Sequence, residues 1–215
     1  FQDDEKFKIN NENSSAWLNN RIKELEKKKN LTIKKRTSLA AYHNYNYLLA
    51  RENLADHKSL HERSNKLRQR LLKIRAKKVI LATGAIERPL IFNNNDRPGI
   101  MLAHSVKKYI DFFGVKCGNK NVIFTNNDSA YETAISLNKK GINVIVVDLR
   151  NNTSSILAQI AKNAGIKIYW NHTIVDTKGY RRIKSIEIME MSEDGTNVVG
   201  NKITLLCDNL SISGG

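Results

Sequence analysis

Two stretches of this 215-residue chain set small residues and a charged side chain behind an apolar lead-in. The first is Val79-Ile-Leu-Ala-Thr-Gly-Ala-Ile-Glu-Arg-Pro89. An apolar strand there runs into a turn of small residues, Ala82, Thr83, Gly84 and Ala85, so the backbone can come close to a ligand. Arg88 follows at a place where a guanidinium can meet a phosphate or a flavin edge. An ordinary strand exit with a surface arginine has the same pattern. The second stretch is Thr125-Asn-Asn-Asp-Ser-Ala-Tyr131, between a strand and a helix. A dinucleotide needs G-x-G-x-x-G at such a turn, because the glycines let the pyrophosphate rest on the helix N-terminus. Every expected glycine is replaced here, and Asp128 puts a negative charge where a diphosphate would sit. Asp148 ends the next strand, about twenty residues on, where an acidic residue can bind a ribose. Without the glycines it carries little weight, and Asp128 reads more simply as a helix N-cap. The turn reads as a nucleotide-binding fold whose second site has been lost.

No other constellation demands chemistry. Cys117 and Cys207 stand alone with no CxxC, so neither a zinc knuckle nor a local redox pair is encoded. Two reduced, buried thiols in a cytoplasmic protein are expected. The five histidines show no HxxxH or HExxH spacing suited to a metal, apart from the i, i+4 pair His57 and His61, which lacks a third ligand and reads as solvated. No residue is nominated as a catalytic acid, base or nucleophile, and no metal site is expected.

Periodicity places these motifs. Ser14 or Ser15 caps a helix through Trp17, Leu18, Ile22 and Leu25 to about Lys29. Leu31–Arg36 reads as a short strand, residues 39–50 as one or two more, 51–69 as a connection and Leu71–Arg75 as extended. Lys77 to Gly84 has the apolar run of a buried parallel strand. Pro89 and Pro98 interrupt regular structure, and residues 102–113 are helical with Leu102, Val106, Tyr109, Ile110 and Phe113 on one face. A β-α-β-α-β series follows: a strand from Asn121, a helix over 128–140 closed by Gly141, a strand Asn143–Asp148, a helix over 154–164 closed by Gly165, and a strand from Ile166. Alternation over 172–178, 183–191 and 198–206 then predicts an antiparallel meander with a hairpin at Asp194-Gly195.

The chain carries 36 Lys+Arg against 21 Asp+Glu, a net charge of +15, with 40% hydrophobic residues. That composition excludes wholesale disorder. No apolar run approaches the ~18 residues of a membrane span, and the first residues lack the apolar core of a signal peptide. The charge is uneven: residues 20–80 hold 18 cations and 5 acids. Such a patch is a legitimate nucleic-acid hypothesis. Because 24 of the cations are Lys, and aromatics do not interleave at regular spacing, a solvated Lys-rich face is the better reading. Nucleic acid is therefore not an expected partner, nor is a membrane.

Four strings are distinctive: Arg68-Gln-Arg-Leu71, Ala82-Thr-Gly-Ala-Ile-Glu-Arg-Pro89, Asn95-Asp-Arg-Pro-Gly-Ile-Met101 and Phe124-Thr-Asn-Asn-Asp-Ser-Ala-Tyr131. Together with the closing Leu210-Ser-Ile-Ser-Gly-Gly215, they closely resemble the α subunit of heterotetrameric sarcosine oxidase. The resemblance runs over most of residues 14–215 and covers a minority of the long family subunit. It implies an enzyme that oxidises sarcosine to glycine, passes the one-carbon unit to tetrahydrofolate or releases it as formaldehyde, and reduces oxygen to hydrogen peroxide. It implies NAD in the first dinucleotide domain of this subunit, lined by Thr83-Gly84, with FAD, FMN and tetrahydrofolate held elsewhere in the enzyme. It implies β, γ and δ subunits as partners.

The resulting expectation is an α/β chain of two Rossmann-like, FAD/NAD(P)-binding parts, the second inserted in the first. Residues 1–95 form the back half of the first domain, 96–118 a connecting turn and helix, 119–207 the second domain without its fingerprint, and 208–215 the strand returning to the first. The cofactor-binding candidates are Ala82, Thr83, Gly84, Ala85, Arg88, Gly214 and Gly215. The missing glycine fingerprint is expected before Phe1 and a folate domain after Gly215. The rival readings are a subunit of a related amine, opine or proline dehydrogenase flavoprotein and, more distantly, a basic nucleic-acid-binding module.

Overall fold

The computed structural model describes residues 8–62 and 66–215. They fall into two compact units, one ending at Gly84 and the other running from Ala85 to Gly215.

The smaller unit opens with the two-residue strands β1 (Lys8–Ile9) and β2 (Glu12–Asn13) and helix α1 (Ser14–Glu26). The cap of α1 is Asn13 rather than Ser14 or Ser15: its Oδ1 accepts from the Ser15 and Ala16 amides at 2.9 and 3.4 Å. An Asn side chain satisfies the free first-turn donors as well as Ser does. Strands β3 (Thr37–His43), β4 (Tyr47–Asn53) and β5 (Gln69–Arg75) form an antiparallel sheet in that order. Its register puts Leu39 beside Ala50, Tyr42 and Ile74 beside Leu48, and Leu72 beside Ala50, so one face is apolar. Leu48 and Ala50 are buried on it.

Two expected strands are absent from this unit. Leu31–Arg36 is irregular, because Arg36 takes a positive φ of 51°, which breaks a ladder, and the sheet starts only at Thr37. Lys77–Gly84 is also irregular, and Ile80 and Leu81 are 91% and 59% exposed. The apolar run is there, but among the described residues no strand pairs with it, so nothing buries it.

In the larger unit, β6 (Ile100–Leu102), α2 (Ala103–Phe112), β7 (Lys120–Thr125), α3 (Ser129–Lys139), β8 (Asn143–Asp148), α4 (Ile156–Asn163) and β9 (Lys167–Trp170) follow in turn. The meander β10 (His172–Lys178), β11 (Ser185–Met191) and β12 (Val198–Leu206) comes next, and then β13 (Asn209–Ser213). The parallel sheet has the order β6-β13-β7-β8-β9. Alternation along its strands sorts the core into two layers. Ile123, Val144 and Val146 face the helices with Val106, Tyr131, Ala134 and Ala161. Val122, Phe124, Val147, Leu210 and Ile212 face Ile174, Ile186, Ile188 and Leu205 of the meander. The expected glycine stops hold: past α3 the Gly141 and Ile142 amides bond back to the carbonyls of Asn138 and Leu137 at 3.0 and 3.1 Å, with Gly141 at φ 73°. The closing strand lies inside this sheet, between β6 and β7, rather than in the first part. Its apolar Leu210 and Ile212 complete the layer under the meander, and only Gly214 and Gly215 extend past its end.

The Asn95–Met101 string has a structural use. The Arg97 guanidinium donates to Thr177 Oγ1 at 3.2 Å, to the Thr177 carbonyl at 3.3 Å and to the Gly179 carbonyl, fastening the loop to the end of β10. Asn93 and Asn94 add bonds to Asp176, whose carboxyl is held down at about 2 by the hydrogen bonds from Lys178 and Asn94. Hydrogen bonds from a charged donor contribute about 1.5–3 kcal/mol each in favourable cases. Arg97→Ala should therefore destabilise this unit by about 2–3 kcal/mol, read as a lower urea midpoint with an unchanged m-value.

Candidate nucleotide site

In open α/β sheets ligands bind beyond the carboxyl ends of the strands. Here that edge is formed by Thr125, Asp148 and Ser213, which are neighbours in register and fully buried. The turn that would cradle a pyrophosphate is closed by its own side chains. Thr125 Oγ1 donates to the Asn127 carbonyl and accepts from the Asn127 amide, both at 3.0 Å. Asn127 Nδ2 donates to the carbonyl and hydroxyl of Ser213 at 3.1 and 3.0 Å, while its Oδ1 accepts from the amide and hydroxyl of Ser129 at 3.1 and 2.7 Å. Asn127 thus does the capping of α3 that the sequence suggested for Asp128. Asp128 precedes the helix but makes no capping bond.

Asp128 and Asp148 are instead drawn together by Arg150. Its Nε and Nη2 donate to the two oxygens of Asp148 at 3.0 and 2.8 Å, a bidentate pair, and its Nη1 donates to Asp128 Oδ1 at 2.7 Å. The Arg150 amide and the Tyr131 hydroxyl also donate to Asp148, at 3.0 and 2.7 Å. Thr153 Oγ1 donates to Asp128 at 3.3 Å. Asp148 has no exposed surface, so the acidic group suited to a ribose is already fully engaged. Burial, then the bond to Asp148, pushes the Tyr131 phenol up. The Asp148 bond, aided by Asp128, raises Arg150 further above its ordinary value. Partial burial works against the charged form of Asp128, but the hydrogen bond and charge of Arg150 outweigh it and hold that carboxyl below its ordinary value.

A second closure lies at the start of α2. Glu87 is almost wholly buried and its Oε2 accepts from the His104 amide at 2.8 Å, so a carboxylate of the protein sits where a helix N-terminus attracts anions. The adjacent Arg88 pairs through its backbone with the last two residues: its amide donates to the Gly215 carbonyl at 2.9 Å, and its carbonyl accepts from the Gly214 amide at 2.7 Å. A Cβ on Gly214 would stand 2.7 Å from that carbonyl.

Of the seven candidates, the structure therefore brings together Arg88, Gly214 and Gly215. Ala85 begins the same unit, while Ala82, Thr83 and Gly84 are exposed residues of the smaller one. Gly84 has φ 74°, and a Cβ placed on it would meet nothing within 4 Å, so its backbone is open to approach. The residues that the sequence reading passed over are Arg150, Asn127 and Tyr131. A signal existed for the first: a buried acid at a strand end needs a nearby cation, and Arg150 is two residues away.

Among the described residues no cluster of three His, Cys, Asp or Glu could hold a metal. No helix among them is long and apolar enough to cross a membrane. Both cysteines are free thiols, and burial pushes Cys207 up to about 12.

No family model matches the sequence. The sarcosine oxidase α subunit of Corynebacterium sp. (strain P-1) is 34% identical over 209 residues, which are 96% of this chain and 21% of that protein. The crystal structure of L-proline dehydrogenase from P. horikoshii superposes on 95% of this chain and 32% of its own, with 20% identity and a TM-score of 0.55. That of T. acidophilum thioredoxin reductase covers 68% of this chain and 47% of its own, with 18% identity and a TM-score of 0.54. These two likenesses concern the fold, an α/β architecture of the FAD/NAD-binding Rossmann type with an antiparallel meander. The chain is a relative of the sarcosine oxidase α subunits, matched along nearly its whole length to about a fifth of theirs.

Proposed function

We propose that this chain is the NAD-binding scaffold region of a sarcosine oxidase α subunit. The enzyme around it converts sarcosine to glycine, gives the one-carbon unit to tetrahydrofolate or releases formaldehyde, and reduces oxygen to peroxide. NAD lies in the first dinucleotide domain, against the Ala82-Thr83-Gly84-Ala85 turn. FAD, FMN and tetrahydrofolate lie elsewhere in an assembly with β, γ and δ subunits. The work of this stretch is to hold shape and position: no side chain in it is assigned a catalytic acid, base or nucleophile role.

The observation that supports this most is the self-occupied edge of the larger unit. Asn127, Asp128 and Arg150 bond to one another's surroundings where a second nucleotide would rest, which supports reading this unit as a scaffold and the other domain as the nucleotide's. Sarcosine-dependent peroxide formation by the full-length protein co-expressed with its partner subunits tests the reading. Turnover with sarcosine at least tenfold faster than with proline or an opine is expected. The reverse preference would move the protein to the amine, opine or proline dehydrogenases.

A further inference from the structure

Glu87 leaves one oxygen unused. Its side chain is 5% exposed. Oε2 holds the His104 amide, but Oε1 is buried and accepts no hydrogen bond among the described residues. A buried charged acceptor left open is costly. One donor stands close: Nδ1 of His104 lies 3.8 Å from Oε1, on a ring that is 59% exposed and free to turn. A small rotation of that ring closes the gap. The carboxylate then takes the Nδ1 proton, which fixes the tautomer and leaves Nε2 as the outward nitrogen.

The His104 ring lines an open groove on α2 with Lys107, Lys108 and Asp111. These positions fall three or four residues apart, on one stripe of the helix. The two acids here act as anchors for the cations. Asp111 accepts from Lys107 at 2.9 Å, lies 3.7 Å from Lys140 and is itself fixed by the Ser136 hydroxyl at 2.7 Å. Glu87 does the same for His104. Lys108 is exposed and has no ion-pair partner among the described residues. Lys107, Lys108 and Lys140 thus face the single charge of Asp111, and a protonated His104 would offset that of Glu87.

Charge and size say what fits. A surplus of positive charge on side chains that only donate suits a group with several acceptor oxygens and more than one negative charge, which a phosphate supplies. The groove holds about 260 Å³, below the roughly 300–1,000 Å³ of sites for drug-sized ligands. It has room for a phosphate on a short carbon chain and not for a dinucleotide. We propose that this groove binds the phosphate group of a small soluble monoester. Lys107, Lys108 and His104 are its donors, and Glu87 is the positioning residue that aims the imidazole. The site shares no residue with the Asn127–Arg150 network and does not depend on the oxidase reading.

The test is equilibrium dialysis of radiolabelled inorganic phosphate against the full-length protein, with NAD present in excess. Saturable binding is expected. Lys108→Gln should weaken it at least fivefold while leaving NAD affinity as it was, and this exposed position tolerates the change without unfolding. His104→Gln and Glu87→Gln should each weaken it several-fold, and the two together no more than His104→Gln alone, because Glu87 acts through the imidazole. Phosphate that does not saturate, or that binds Lys108→Gln within twofold of wild type, would overturn the site. Additive losses for Glu87→Gln and His104→Gln would overturn the positioning role. Sedimentation with phosphatidic acid vesicles that is lost in Lys108→Gln would put the phosphate on a lipid and overturn the soluble ligand.

Discussion

Replacing Arg150 with alanine should cost about 3–5 kcal/mol of stability, the largest effect expected of any single change in the larger unit. Asp148 is wholly buried, and three of its hydrogen bonds come from Arg150: two from the guanidinium and one from the backbone amide. The alanine variant keeps the amide and the Tyr131 hydroxyl as donors but removes the compensating charge, and an unpaired buried carboxylate is among the costliest defects a fold can carry. The bond to Asp128 adds little, since that carboxylate is half exposed and screened by water. Changing Asp148 to asparagine in the same protein should restore much of the loss, because a neutral amide can use the amide and hydroxyl left to it. Urea melts of the three proteins check this. A loss below 1 kcal/mol for Arg150→Ala would mean the network is not what holds the β7 and β8 ends together.

The second large effect concerns nucleotide affinity. In the full-length subunit, Gly84→Val should weaken NAD binding at least tenfold, whereas Asp128→Asn should change it less than twofold. Gly84 sits at φ 74°, a conformation that costs a β-branched residue dearly, and its surroundings are open to a close approach that a side chain would obstruct. Asp128 is committed to Arg150 and Thr153 within the protein. Isothermal titration of the two variants checks the order, and the reverse order would place the nucleotide in the wrong domain.

The regular elements from α2 onward were open to reading because one physical rule governed each, whereas the short strand β6 before it was not expected. Apolar runs marked the strands of the parallel sheet, alternation marked the meander, and the closing glycines bounded α3 and α4. The turn from Thr125 to Tyr131 showed its departure from a nucleotide fingerprint in its composition. What it did not show was how the space is filled. Arg150 meets Asp128 only after β7 and β8 align, and Asn127 meets Ser213 only once β13 has slotted beside β7, contacts spanning 22 and 86 residues. Local pattern carries no record of such pairings. Lys77–Gly84 shows the converse limit: its apolar composition is that of a buried strand, but a strand forms only where a neighbour supplies the ladder. The rest of the smaller unit was mixed in the same way. Strands β3 and β4 were legible in the Tyr-, Leu- and Ala-rich stretch over 39–50, while Leu31–Arg36 gave way to the backbone of one arginine.

The central claim is that the larger unit is a nucleotide fold filled by its own side chains, and that nucleotide belongs to the other domain. The number of NAD molecules bound per full-length α subunit, measured by calorimetry, tests it most directly. The account predicts one, with binding that is sensitive at Gly84 and unaffected by Asp128→Asn. Two per subunit, or a single site lost with Asp128→Asn and kept with Gly84→Val, would contradict it.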